Sequence, residues 1–138
     1  MKSMKQFLFF SSFFIIAIFH TSAQTKQGKH LLDGTSLDVY WETGTRVHVE
    51  FNDGQIISKW ISGPGQDATG QESYRSKKIG DKMYVVNFLK TPDHSFVTLI
   101  FNFNQNVLCA SAIREVGTKD ETIFLEGATI EHLHLKEK

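Results

Sequence analysis

Six residues combine the right type with apolar surroundings to meet a small molecule: Trp41, Trp60, Glu72, Tyr74, Tyr84 and Asn87. The four aromatics join a large apolar body to a hydrogen-bonding handle, which is what the wall of a ligand pocket needs. Glu72 and Asn87 are the polar groups that would orient a bound molecule. A sharper chemistry is also open: Tyr74 or Tyr84 with Glu72 forms a pair able to exchange protons with a substrate, the work of a lyase or isomerase. Against both readings stands ordinary packing, with the aromatics as core or barrel-end residues. Glu72 would then be a solvent-facing charge beside Arg75 or Lys77.

Other chemistries lack their residues. There is no phosphate-binding glycine loop, no His-Glu-x-x-His, no nucleophile elbow and no paired-cysteine spacing. His132 and His134 stand two apart, so on a strand both imidazoles would share a face. Two ligands do not make a zinc or copper site, and the expectation is two surface histidines opposite inward Leu133 and Leu135. The single cysteine, Cys109, lies in the small, apolar stretch Val107–Ile113 and has no sequence-local base to activate it. It is expected to be buried as a small hydrophobe. No metal and no cofactor is expected.

The elements that must position these residues are strands. The ten glycines all fall after residue 27, several about ten residues apart, with segments rich in Val, Ile, Thr and aromatics between them. The pattern predicts eight strands, at Ser36–Glu42, Thr45–Asn52, Gln55–Ser62, Gln71–Ile79, Lys82–Leu89, Ser95–Phe103, Asn106–Glu115 and Glu121–Leu135. Asn52-Asp53-Gly54 is the clearest turn, because Asp-Gly supplies the positive φ of a two-residue hairpin. In the second strand Val47, Val49 and Phe51 share one face; in the fifth, Tyr84, Val86 and Phe88 do. The sixth is apolar on both faces and is expected to be central, and the last is long enough to bend, with Gly127 the natural place. Helix is confined to a turn near Gln27–Leu32.

Short links between consecutive strands require antiparallel neighbours. They favour an all-β, eight-stranded up-and-down barrel over a sandwich, since a Greek key needs a long crossing connection. Closure also removes edges on which so apolar a sheet would aggregate. Eight strands leave room for interior side chains or one small ligand.

Before this barrel, Met1–Ala23 has the layout of a cleaved signal peptide: Lys2 and Lys5, the apolar run Phe7–Phe19, and Thr21-Ser22-Ala23 at the cleavage point. The run is short of the ~20 residues that span a bilayer, so no membrane span is expected after cleavage. The expected organisation is a signal peptide at 1–23, a lead-in at 24–35 and the barrel domain at 36–138, secreted or periplasmic. Losing Lys2 and Lys5 takes the basic count from 15 to 13 against 15 acidic residues, a net charge near −2. That argues against nucleic acid as a partner.

The strand series also resembles a known family. Gly44-Thr45-Arg46-Val47, Phe51-Asn52-Asp53-Gly54, Trp60 with Gly63, Glu72-Ser73-Tyr74, Ile79-Gly80, Tyr84-Val85-Val86 and Val97-Thr98-Leu99-Ile100 are similar, in order and spacing, to MoaF-like domains. The resemblance covers roughly Val39 to Ile113 and implies a small calycin-type barrel, lipocalin-like in shape. The expected function is that of an exported, non-enzymatic barrel binding a small apolar or aromatic ligand. The alternatives are the Tyr/Glu enzyme and a solid-barrel interaction module of the envelope, the latter marked by an exposed apolar patch around Phe124 and Ile130.

Overall fold

Two-residue alternation and tight left-handed turns together dictate the architecture. In a computed structural model, which describes residues 30–136, the strands follow in chain order. They are β1 (Ser36–Trp41), β2 (Arg46–Asn52), β3 (Gln55–Ser62), β4 (Thr69–Gly80), β5 (Met83–Lys90), β6 (Ser95–Asn102), β7 (Val107–Arg114) and β8 (Thr122–His134). Each pairs antiparallel with the next and β8 returns to β1, closing the barrel. At the β2–β3 hairpin Asp53 and Gly54 both have positive φ, 49° and 73°, the conformation whose twist matches the flanking strands. Gly54 is also closely covered: a Cβ there would lie 3.0 Å from His30 Nε2. The only helical turn among the described residues is Thr91–Asp93, begun by Pro92 and ended by His94 at φ 46°.

The expected signal peptide at 1–23 lies outside the described residues, as does most of the lead-in. The rest of the lead-in seals one end of the barrel. Leu32 is fully buried, and Leu31 N–H donates to Ser76 Oγ at 2.8 Å. Asp33 ties the seal down: its carboxylate accepts from Gly54 N–H at 3.1 Å and from the Tyr74 hydroxyl at 2.8 Å. Above this plug Phe51 meets Tyr74 edge-on at 4.9 Å and Phe101 at 5.9 Å, and Phe101 stacks on Phe103 at 5.4 Å. These offset and edge-to-face ring pairs make this end the solid half of the core.

Several expectations are corrected. Leu108, Ala110 and Ala112 are the inward residues of β7, so alternation turns Cys109 outward, where it is exposed rather than buried. β6 is not central, because a closed barrel has no edge to contrast with; Phe96 and Ile100 on its outer face stay 41% and 39% exposed. β8 keeps an unbroken register with β7 through Gly127. Its irregularity comes instead at His132, φ 47°, opposite Ser36 and Asp38 of β1. Ile130 is buried in the core and Phe124 lines the interior, so no outer patch forms around them. The outer apolar row runs instead through exposed Leu89, Phe96 and Ile123 and half-buried Ile113, which are register partners across β5 to β8.

The exposure of Cys109 has a direct test. A maleimide should modify the native protein stoichiometrically and as fast as it modifies the urea-unfolded chain, within about an order of magnitude. Protection by several orders of magnitude would mean that the β7 outer face is covered.

Candidate functional site

The other half of the barrel is open. Above the plugged end small inward residues, Ser58 on β3 and Ala110 and Ala112 on β7, leave the middle of the barrel unfilled, and a cavity of about 170 Å³ remains. Its floor is Val49, Ile56, Leu99, Phe101 and Leu108. Ala110 and Ala112 leave the space that larger inward residues would fill. Trp41, Trp60, Phe88 and Phe124 stand around the upper wall with Glu72, Lys90, Asp93 and Arg114. The space is comparable to the ~150 Å³ apolar cavity that takes up benzene in an engineered protein.

Three of the six residues singled out by type are brought together here: Trp41, Trp60 and Glu72. The other three are elsewhere. Tyr74 shares the inner face of β4 with Glu72 but lies within the plug, 1% exposed, with its hydroxyl donated to Asp33. Burial, reinforced by that carboxylate, pushes its phenol far above the usual range. Tyr84 packs against Phe103 at 5.8 Å near the sealed end. Asn87 lies between inward Val86 and Phe88 and so points outward, donating to Thr98 Oγ1 at 2.6 Å. Neither tyrosine therefore reaches the cavity to form an acid–base pair with Glu72.

The polar groups around the cavity are unequally partnered. Lys90 Nζ lies 3.5 Å from Asp93 Oδ2 and 5.7 Å from the centre of the Trp60 ring. Arg114 covers the Phe124 ring at 5.0 Å, an arrangement in which the cation is attracted to the π face. Glu72 makes no hydrogen bond or ion pair with the described residues. Burial pushes its carboxyl above the ordinary range; Lys90 opposes the shift and Asp93 adds to it. Sequence reasoning missed Lys90, Asp93, Arg114 and Phe124. As residues at the ends of β5 and β7, in the Thr91–Asp93 turn and at the start of β8, they carry no signal until closure brings them to one mouth.

A second polar cluster forms on the outer face where β8 meets β1 and β2. Asp38, 6% exposed, accepts from Arg46 at 2.5 Å, His48 Nδ1 at 2.6 Å and His132 Nδ1 at 2.9 Å. His48 Nε2 meets Glu50 at 3.1 Å, so the imidazolium has a carboxylate at each nitrogen. Burial alone would raise the Asp38 carboxyl, but the hydrogen bonds from His48, Arg46 and His132 outweigh it and hold it at about 2. The bond to Asp38 likewise raises His48, against burial and with help from Glu50. His134 is not part of this cluster. Among the described residues no three His, Cys, Asp or Glu side chains come together so as to hold a metal ion.

The pH window follows from these directions. Asp38's contribution is present above its unfolded value of 3.8 and fades as pH falls toward about 2. His48's contribution is complete below 6.5 and is lost as pH rises through its higher folded value. Asp38→Asn should therefore destabilise most between those limits, by about 1–2 kcal/mol because the partners lie near solvent. Denaturant unfolding across pH checks this; a pH-independent difference would show that charge is not what the cluster contributes.

Among the described residues no helix is long and apolar enough to cross a membrane. No curated protein matches the chain. Among solved structures the fold is similar to that of a protein from Burkholderia vietnamiensis titled a "putative beta-lactamase". The TM-score is 0.59 and the identity 13%, over 72% of this chain and 92% of that one. At that identity the likeness concerns the fold alone. The sequence pattern described as the MoaF N-terminal domain matches residues 20–115, which takes in every strand from β1 to the end of β7 and thus most of the cavity wall. The chain belongs to the MoaF N-terminal domain family.

Proposed function

We propose that this protein is an exported, non-enzymatic barrel of calycin or lipocalin-like shape that takes one small apolar or aromatic molecule into its open half. The observation that carries the reading is the cavity of about 170 Å³, apolar at its floor and ringed by Trp41, Trp60, Phe88 and Phe124. A solid barrel would need that space filled. A single-ring ligand burying ~200 Å² gains about 5 kcal/mol, which sets affinity between micromolar and millimolar before polar contacts are added. Export, to the periplasm or beyond, rests on the layout of Met1–Ala23. The acid–base alternative loses support because Glu72 has no tyrosine beside it in the cavity.

The test is optical. An apolar single-ring probe should change the intrinsic tryptophan fluorescence saturably, and Trp41→Phe or Trp60→Phe should weaken the response. A barrel that leaves every such probe in solution, with both tryptophans unresponsive, does not have this function.

A further inference from the structure

We propose that the ligand carries a hydrogen-bond-donating head, a hydroxyl or an ammonium group, directed at Glu72, and that a carboxylate head is disfavoured at that position. This rests on the cavity reading above and adds the chemical class of the molecule.

The inference comes from asking which polar atoms of the open half already have partners. Both cations do: Lys90 is engaged by Asp93 Oδ2 and the Trp60 face. Arg114, at the exposed rim, lies over Phe124. Ser95 Oγ donates to the backbone carbonyl of Asp93 at 3.4 Å. One acceptor does not: the half-buried Glu72 carboxyl has no hydrogen-bond partner among the described residues. Asp93 Oδ1 also lacks a partner but is buried beyond a ligand's reach. The cavity lining thus holds two carboxylates, Glu72 and Asp93, and two cations, Lys90 and Arg114, with only the Glu72 carboxylate both open and unmet.

An acceptor left unmet in a desolvated place is costly, and sites with such groups reject molecules that cannot complete them far more strongly than apolar walls reject one another's ligands. A donor head completes the Glu72 acceptor. A carboxylate head supplies no donor and places a second negative charge beside the Glu72 carboxylate. The rings of Trp41 and Trp60 receive the apolar body in either case, and a cationic head gains from their faces as well.

The experiment compares benzyl alcohol, benzylammonium and benzoate, which share one ring, in titrations of the purified protein at neutral pH by calorimetry and tryptophan fluorescence. The alcohol and the ammonium should each bind at least about tenfold more tightly than benzoate. Their relative order tells whether the head is neutral or cationic. Glu72→Gln keeps the shape but weakens the acceptor and supplies a donor to benzoate, so the ratio should shrink by about threefold or more. Benzoate binding as well as the donors, or a ratio unmoved in the Glu72 variant, overturns the inference while leaving the cavity reading intact. Failure of all three probes and of toluene removes both.

Discussion

Ala112→Phe should abolish probe uptake, lowering affinity at least about tenfold, while the protein stays folded. Ala112 faces inward beneath the mouth, opposite Val97 on β6 and Phe124 on β8. A phenyl group there occupies the space a single-ring ligand would take. Because the space is already empty and opens to solvent, the larger side chain should cost less than the ~1–3 kcal/mol of overpacking in a filled core. The measurement is a probe titration beside a thermal melt. Affinity unchanged within twofold, in a variant that melts normally, would put the binding site somewhere other than the barrel.

Phe51→Ala should have the largest effect on stability, a loss of about 3–5 kcal/mol. Phe51 is 1% exposed and its ring lies between Tyr74 and Phe101 in the sealed half. No open space lies beside it, so truncation leaves a void on top of the lost transfer energy. For a domain of this size the melting temperature should fall by roughly 12 °C or more. Phe88→Ala makes the contrast: Phe88 is only half-buried at the cavity wall, so less apolar surface is lost and part of its environment is already water. Its cost should be under half that of Phe51→Ala in urea unfolding. Equal costs would mean that the two halves of the barrel are equally packed.

The contrast between the halves also explains which site residues could be read in advance. Glu72 and Tyr74 share a parity on β4, and alternation puts both inside. Their heights along the barrel separate them, one in the cavity and the other in the plug, and height depends on strand tilt and on how far the lead-in enters. Asn87 differs: Val86 and Phe88 beside it are inward by the same alternation that paired Tyr84 with them, so its outward direction was legible from the start. Cys109 follows the same rule, since Leu108 and Ala110 flank it. In both cases parity, not residue type, decides the direction of the side chain.

What the chain determined alone was local: the number of strands, their order, and the turns between them. These follow from two-residue alternation and from residues such as Gly54 that accept positive φ, interactions that span a few positions. Tertiary structure decided everything that requires β8 to find β1. Closure made the interior, gathered Asp38, Arg46, His48 and His132 from three strands, and set Lys90 and Arg114 around one mouth. The plug of Leu32 and Asp33 chose which end would stay open. Such contacts join residues tens of positions apart, and alternation sets only which face of its strand a side chain takes, not which distant residues meet it there.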